Sequence, residues 1–455
     1  MQESAYAHST ERGLVLLLPT GYYLVGGTLA VAASFILLAL IAPSTISRFL
    51  DSGKRLFAFT APKPFWFSLF STCFLFVLVY AGLFGSRDPL SNPLPIFIWS
   101  VWWVGFFLLQ CLVGDLWRWL NPWSGFAQLL RRFAGLRNVP FTLPKAVAYW
   151  LAVIQFFAVA WFELVYIAPE DPKYLALVVS LFWVVNLGGV LVFGSKDWFE
   201  RCEPFSVFFR LLGNMSPLYR EETGDGVLRI TTCFPGRSYL HLSPLPLSGV
   251  LFVLLTLSTV SFDSLLRTFF WLGHIGINPL EFPGRSAVIT SNSIGLLLVF
   301  ASLGTIFFLV VWLGNLITAS RARFTEFAGR LIYSLIPVSM VFHFAHYLTL
   351  LLINSQYALV AFNDPFALHW NLFGLQGFHV TASFLNHLDS VRVIWITQTV
   401  AITLGHIIGI VIAHGIALKL FSDTGSAIRS QLFLAMLMIA YTLFGLWLLS
   451  TAAIG

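Results

Sequence analysis

The chain has few charged residues and few cysteines for its length. Only 10% of its 455 residues are charged, whereas a soluble domain carries about 25%. This scarcity excludes a large soluble fold, and a hydrophobic content of 58% excludes a disordered chain. Four cysteines without a Cys-x-x-Cys spacing exclude a disulfide scaffold and a cysteine metal site. The composition is therefore typical of an integral membrane protein.

Nucleic-acid binding is not predicted, although the formal net charge is +6. The Lys and Arg residues lie in loops between apolar runs, where they act as topology signals. The 46 Phe and 16 Trp residues suit burial in lipid and at its interface. We expect a lipid bilayer, and no nucleic acid, as the partner of this chain.

Ten apolar runs of about 20 residues are each long enough to cross a bilayer as a helix. An unpaired backbone cannot face hydrocarbon, and no alternating ten-residue pattern occurs, so strands are not expected in these runs. We predict an all-α, polytopic helix bundle that forms a single transmembrane domain over residues 1–455. The predicted spans are 22–42, 64–85, 95–114, 145–167, 174–194, 246–262, 288–316, 330–354, 391–414 and 430–451.

The basic residues predict the orientation of these spans. The loops after spans one, three, five, seven and nine hold 20 of the 26 Lys and Arg residues. Basic residues resist translocation, so this asymmetry predicts that those loops are cytoplasmic and that both termini lie outside the cytoplasm. The polar tail before the first span has no cleavage site, and we expect that span to be retained. A multi-pass protein of the cell (inner) membrane is predicted.

Two similar segments follow the third and fifth spans and indicate an internal duplicated helix pair. They run from Asp115 to Phe126 and from Asp197 to Phe208, about 80 residues apart. In both segments an Asp precedes a Pro by seven positions, and an aromatic residue, a Ser and a Phe follow at the same offsets. Residues 115–133 and 197–213 are predicted to be amphipathic cytoplasmic segments with apolar side chains toward lipid. The alternative is a cytoplasmic gate or docking face.

Ionisable side chains within the bilayer are costly, so each one is a candidate functional residue. Glu163 and Asp263 lie near the outer ends of spans four and six. His343 and His346 lie on span eight, about 8–12 Å below the outer surface by the helix rise. Gln398 on span nine is at a similar depth. We expect these side chains to converge in one polar layer in the outer half of the bilayer.

The two histidines of span eight predict a metal site. His343 and His346 are spaced as i and i+3 and share a helix face, from which both imidazoles can bind one ion. A carboxylate from Glu163 or Asp263 would complete a site for zinc or a similar divalent ion. The alternative is that both imidazoles bond neighbouring helices, with partners such as Tyr347.

Span nine carries two further histidines, His406 and His414. A descending series of histidines can carry protons, which is typical of a transporter. The alternative is a packing role, because Gly405, Gly409 and Ala413 form a stripe of small residues that allows close helix approach.

Short segments along nearly the whole chain resemble a bacterial family of polytopic membrane proteins commonly named fenitrothion hydrolase. They are Ala7-His8, Val79-Tyr80-Ala81-Gly82, Gly114-Asp115, Leu120-Asn121-Pro122-Trp123, Phe262-Asp263-Ser264-Leu265, Ala345-His346-Tyr347, Asp364-Pro365, Gly405-His406 and Ala413-His414. The chain departs from the family pattern after Arg12, where an acidic residue is missing, and at Gly415-Ile416, where an Asp-Arg pair is usual. These departures weaken any role for His8 and His414.

The resemblance implies hydrolysis of an organophosphorus triester. We predict a membrane-embedded, phosphotriesterase-type hydrolase that cleaves lipophilic small molecules by metal-assisted attack of water at phosphorus. The divalent metal ion is expected on His343, His346 and Asp263, and the catalytic residues are expected to be Glu163, Asp263 and His406. Two alternatives stay open: a proton- or ion-coupled transporter, and a non-catalytic subunit that acts with a second membrane subunit.

Overall fold

Ten helices among the described residues of the computed structural model are long and apolar enough to cross a membrane, which confirms the predicted all-α polytopic bundle. The structure describes residues 14–135, 139–223, 226–318, 323–375 and 377–454, so His8 lies outside the described residues. We label these helices in chain order as α1 Thr20–Leu40, α2 Pro64–Phe84, α3 Pro93–Val113, α4 Lys145–Leu164, α5 Pro172–Phe193, α6 Leu247–Leu266, α7 Arg285–Ile317, α8 Phe324–Asn363, α9 Leu388–Leu420 and α10 Thr424–Ser450.

Shorter helices lie between these ten. They are Pro43–Asp51, Trp117–Leu120, Ser124–Phe133, Ser195–Arg201, Pro204–Gly213 and Phe269–His274, with 3-10 turns at Arg237–Leu240, Pro279–Glu281 and Ser383–Asn386. Helix α3 is irregular, because its middle, Phe97–Phe106, is a π-helix. Such wide turns are rare and occur frequently at functional sites.

Local sequence fixes where several helices begin. α2, α3 and α5 each have a proline in the first turn, where its missing N–H is no loss. Asp171 caps α5 by accepting hydrogen bonds from the N–H groups of Lys173 and Tyr174. Asp423 caps α10 in the same way, which starts this helix before the apolar run that predicted it. Hydropathy marks the apolar middle of a helix, whereas capping groups set its end.

Helix α6 is the most buried of the ten and lies at the centre of the bundle. Helices α4, α7 and α8 pack against it, and α8, α9, α10 and α1 pack in succession. The stripe of small residues on α9 lies at one of these contacts. A Cβ atom added at Gly405 would meet Val341 Cγ2 at 2.4 Å, and one at Gly409 would meet the Ser334 carbonyl oxygen at 2.7 Å. These glycines therefore let α9 approach α8 closely.

The two similar segments have matching local structure. Gly114 and Gly194, both with positive φ, end α3 and α5. Asn121 accepts from the N–H of Ser124 at 3.0 Å, and the equivalent Glu203 accepts from the N–H of Ser206 at 2.6 Å. Glu203 is the N-cap of Pro204–Gly213, whereas Asn121 lies two residues before the N-cap Trp123 and accepts from the first N–H group of its helix. Both copies place a capped helix after a membrane helix.

The second short helix differs from the prediction that its apolar side chains face lipid. The side chains of Phe205, Phe208 and Phe209 on Pro204–Gly213 are buried within the protein. They pack against aromatic rings of α3, including those of Trp102 and Trp103. The amphipathic pattern of a helix does not show whether its apolar face contacts lipid or protein.

A small antiparallel sheet lies outside the membrane helices. It contains β1 Arg55–Thr60, β2 Leu218–Glu222 and β3 Val227–Thr232 in the order β1–β3–β2. These strands are shorter than the ten-residue strands that cross a membrane, and the hydropathy pattern did not predict them. The sheet brings the loops after α1 and α5 together, and Arg118 in the loop after α3 bonds Glu222 at 2.9 Å. We call the face formed by loops 41–63, 114–144 and 194–246 the basic-loop face.

Candidate functional site

Three of the predicted site residues meet at the end of the bundle opposite the basic-loop face. Glu163 comes from α4, Asp263 from α6 and His346 from α8. His346 Nε2 lies 2.8 Å from Asp263 Oδ2. The hydroxyl of Tyr347 lies 2.6 Å from Asp263 Oδ2 and 3.0 Å from Glu163 Oε1. The side chains therefore form one hydrogen-bonded cluster shared by three helices.

Ser264 completes this cluster on the other side of the His346 ring. Its Oγ atom lies 2.9 Å from His346 Nδ1. If Nε2–H donates to Asp263, Nδ1 becomes the acceptor for the Ser264 hydroxyl. The same hydroxyl also lies 3.1 Å from the carbonyl oxygen of Val260, so its one proton has two possible acceptors. The imidazole thus lies between a carboxylate and a hydroxyl, as in acid–base relays of hydrolases.

Tyr347 links the two carboxyl groups through a single proton. A phenol carries one hydrogen and can donate to only one carboxylate at a time. The second short contact is a hydrogen bond only when Glu163 or Asp263 carries a proton. The cluster can therefore hold a proton and move it between groups on α4, α6 and α8. The sequence predicted Tyr347 only as a hydrogen-bond partner for a histidine of span eight.

His343 does not join the His346–Asp263 pair. Its Nε2 atom is 2.8 Å from the Trp103 carbonyl oxygen and donates to it. The ring is 4% exposed, and its centroid lies 4.1 Å from that of Phe107. Residues three apart on a helix differ by about 60° in direction, so one ring can face α6 while the other faces α3. The predicted metal pair of imidazoles is not assembled in this arrangement.

The fit of a divalent ion can be judged from these bonds. No group of three or more His, Cys, Asp or Glu side chains is placed as metal ligands in the described ranges. His346 Nε2 and Asp263 Oδ2 bond each other directly, so an ion held by both would have to replace that bond. The observed arrangement does not fit a metal without rearrangement, and the metal stays a prediction.

His406 lies apart from the cluster. It is fully buried, and its Nδ1 donates to the Ile402 carbonyl oxygen at 2.8 Å. It lines a separate cavity of about 10 Å³ with Tyr441 and several aliphatic side chains. His414 is bonded to Gln431 at 3.2 Å. The structure thus does not bring His406 to Glu163 and Asp263, and each histidine of α9 has its own partner.

The cluster opens into a cavity of about 480 Å³. This volume is within the range of small-molecule sites. Ser264, His346 and Tyr347 are in its wall, together with the basic residues Arg267 and Arg285. Gln398, predicted at this depth, also lines it and donates to the Ala345 carbonyl oxygen at 2.8 Å. The cavity therefore combines acid–base groups with positive charge.

A second cavity, of about 320 Å³, lies between α2, α3, α4 and α5. Aromatic and aliphatic side chains form nearly all of its wall, and Glu163 is the one charged residue among the described residues that line it. Glu163 and Trp99 line both cavities. The carboxyl group of Glu163 therefore stands between an apolar cavity and a polar one.

Comparison with known proteins assigns no family to the chain, because no family model, curated protein or solved structure matches it.

Proposed function

We propose that this protein is an integral-membrane hydrolase of lipophilic esters, organophosphorus triesters included, in which His346 is the general base. One observation carries the proposal: Asp263, His346 and Ser264 form a continuous set of hydrogen bonds in the wall of the 480 Å³ cavity. The sequence resemblance to the fenitrothion hydrolase family supports the choice of a phosphotriester as test substrate.

The bond from Nε2 to Asp263 orients the His346 ring and fixes the tautomer in which Nδ1 is the acceptor. Nδ1 then accepts a proton from a water molecule through the hydroxyl of Ser264, and the resulting hydroxide attacks phosphorus or the carbonyl carbon. Negative charge develops on the substrate oxygen, and the guanidinium of Arg267 in the same wall can stabilise it. A nitrophenolate leaves readily, so this substrate requires no separate acid.

A divalent metal ion would add a second source of rate enhancement. When bound, it would polarise the phosphoryl oxygen and lower the pKa of a coordinated water. No step above depends on it. Elemental analysis of the purified protein tests this prediction, and a stoichiometric transition metal would require His346 and Asp263 to rearrange around the ion.

The test of the hydrolase is release of nitrophenolate from fenitrothion and from a 4-nitrophenyl ester by protein purified in detergent. We expect saturable release, and a loss of about 100-fold or more in His346→Ala, because a general base contributes at least that much. Equal turnover by the wild type and His346→Ala would overturn the proposal. The His343→Asn variant separates the two mechanisms. If a metal is bound by both imidazoles, this variant should lose as much turnover as His346→Ala. If His346 is a base oriented by Asp263, its turnover should stay near that of the wild type.

A proton-coupled transporter is the second candidate, and a polar seam between α6 and α8 favours it. The facing residues of the seam are Thr256, Thr259 and Asp263 on α6 and Ser339, His343 and Tyr347 on α8. Two cavities of about 20 and 10 Å³ lie along the seam, each of a size to hold about one water molecule. Such a seam could conduct protons from the cluster toward the basic-loop face.

Proton flux into proteoliposomes under an imposed pH gradient tests the transporter. A transporter predicts flux that Thr259→Val reduces and that Ser258→Ala leaves unchanged. The Ser258 hydroxyl on the same helix donates to the Leu255 carbonyl oxygen, and Ser258 is not among the described residues that line the two seam cavities. Hydrolysis in detergent without a gradient, with no proton flux, would favour the enzyme. A chain that shows neither activity after purification would favour the non-catalytic subunit.

We propose that the basic-loop face is cytoplasmic and that the bilayer is the cell (inner) membrane. The excess of Lys and Arg in these loops supports this orientation. Single-cysteine variants in a cysteine-free background test it with an impermeant maleimide on intact cells. Leu280→Cys, in an 81% exposed position after α6, should react from outside, and Glu221→Cys on β2 only after lysis. The reverse pattern would contradict the orientation.

A further inference from the structure

The aromatic cavity of 320 Å³ is too large to be an ordinary packing defect. Protein interiors contain few voids larger than a water molecule, and an empty apolar cavity destabilises the fold. Six tryptophans line it, with phenylalanines and aliphatic side chains between them: Trp99, Trp102, Trp103, Trp117, Trp123 and Trp183. Water would find few hydrogen-bond partners at this wall, which is therefore suited to an apolar occupant.

Five of these six indoles have hydrogen-bond acceptors in the protein. The Nε1 atoms of Trp99, Trp123 and Trp183 donate to backbone carbonyl oxygens at 3.1, 2.9 and 2.9 Å. Trp117 donates to the carboxylate of Glu203 at 3.4 Å. This is the usual state of a buried indole, because a buried polar group without a partner costs free energy.

The indole of Trp103 faces the polar cluster, where it interacts with Glu163 and Tyr347. The remaining indole, that of Trp102, makes no hydrogen bond through its buried Nε1 to any described group, and this residue lies in the π-helical part of α3. Leaving one buried donor unpaired costs about 1–3 kcal/mol. An unpaired donor in the wall of an apolar cavity indicates that an occupant supplies an acceptor oxygen.

We infer that this cavity binds a neutral lipophilic molecule whose apolar ring or chain packs against the aromatic wall and whose ester or phosphoryl oxygen accepts from Trp102. A neutral molecule fits because the carboxyl group of Glu163 is the one charged group among the described residues that line the cavity and would repel an anion. The position of Glu163 brings the polar end of the occupant to the edge of the 480 Å³ cavity. Identification of this occupant as the substrate rests on the proposed function, whereas its binding does not.

The bilayer supplies the route by which such a molecule enters. Phe70 on α2 lines the cavity and is 69% exposed at the lipid-facing surface. One wall is thus in contact with the acyl chains, where a neutral lipophile concentrates by partitioning.

Quenching of tryptophan fluorescence by a brominated ligand tests this inference. The probes are 4-bromophenyl hexanoate, which carries an ester oxygen, and 1-bromo-4-heptylbenzene, which has a similar size and no acceptor. The protein is the purified His346→Ala variant, so that the ester is not consumed. We expect saturable quenching, with the ester binding about tenfold tighter, as one additional hydrogen bond of about 1.4 kcal/mol predicts. Trp102→Phe keeps an aromatic ring but removes the Nε1–H donor, and it should abolish most of the preference for the ester.

Val179 and Val184 on α5 provide a matched pair of further variants. Val179 lines the cavity, whereas Val184 is 57% exposed on the outside of the same helix. Val179→Phe should fill the cavity and weaken quenching by at least about tenfold, and Val184→Phe should leave it unchanged. Non-saturable quenching that is equal in both variants, or tighter binding of 4-bromobenzoate than of the ester, would overturn the inference. Saturable binding without hydrolysis by the wild type would overturn the proposed function alone.

Discussion

At the scale of single residues, each polar contact of the cluster contributes to stability because its surroundings are hydrophobic. Glu163, Asp263, His346 and Tyr347 come from three helices and bond one another, with Ser264 bonded to His346 and the Trp103 indole against Glu163 and Tyr347. In a medium with little water, removing one partner leaves the others buried with one bond fewer.

Tyr347→Phe removes the one hydroxyl that joins the two carboxyl groups. We expect a loss of stability of about 1–3 kcal/mol, because the buried carboxyl group that accepts from this hydroxyl loses its hydrogen bond. Thermal unfolding in detergent measures this loss, and ester turnover should fall with it. The control is Tyr441→Phe, which removes a buried hydroxyl bonded to Ser261 at 2.5 Å and lies outside the cluster. It should lower stability and leave turnover unchanged.

Ser264→Ala tests the route of the proton to His346. If water delivers its proton through the Ser264 hydroxyl, turnover should fall about 10- to 100-fold, and Ser264→Thr should recover part of it. If Ser264 itself attacked the ester, Ser264→Ala would also eliminate any burst of product in the first turnover. Turnover equal to that of the wild type in Ser264→Ala would exclude both roles.

At the scale of elements, the sequence predicted the membrane helices well and their surroundings less well. Hydropathy identifies ten spans because an apolar segment in lipid must satisfy its own backbone hydrogen bonds. An α-helix does so within a single segment. Helix depth likewise predicted that Glu163, Asp263 and His346 share one level. The spacing of His343 from His346 did not predict which neighbour each ring faces, because side-chain direction depends on how α8 is rotated against α3 and α6. Ser264 and Tyr347 were missed because hydroxyl groups are common in membrane helices and carry no distinguishing charge.

The duplicated segments allow a prediction about a capping residue. Burial raises the pKa of Glu203 above its usual range, more than the N–H groups of Phe205 and Ser206 lower it. A raised folded-state pKa means that the stability contributed by this carboxyl is complete below about pH 4.3, the unfolded value, and decreases as pH rises toward the folded pKa. Glu203→Gln keeps an acceptor and removes the titration. Its melting temperature relative to the wild type should therefore increase from pH 5 to pH 8.

The capping role itself has a matched control in the other copy. Asn121→Ala removes the side-chain acceptor at the start of Ser124–Phe133 and should cost about 1 kcal/mol at any pH, since an amide does not titrate. A pH-dependent effect of Asn121→Ala, or a flat difference between Glu203→Gln and the wild type, would contradict this account of the two caps.

At the scale of the whole molecule, the bundle positions a polar cluster between two cavities of unlike chemistry. α6 forms the centre, the helices α2 to α5 surround the aromatic cavity, and α6, α8 and α9 contribute to the polar one. Glu163 lies at their junction. The arrangement allows a molecule dissolved in the bilayer to present its polar end to the acid–base groups while its apolar part stays out of water. No motif in the sequence predicts these cavities, because they depend on how helices distant in sequence pack.

The central claim is that Asp263 and His346 act as one unit in ester hydrolysis. A double-mutant cycle with Asp263→Asn, His346→Gln and the combined variant, measured as kcat/KM for release of nitrophenolate, tests it most directly. Residues that act together show strongly non-additive losses. We predict that each single variant loses about 100-fold or more and that the double variant is little worse than either one. If the two losses instead multiply, the residues act independently and the account is contradicted.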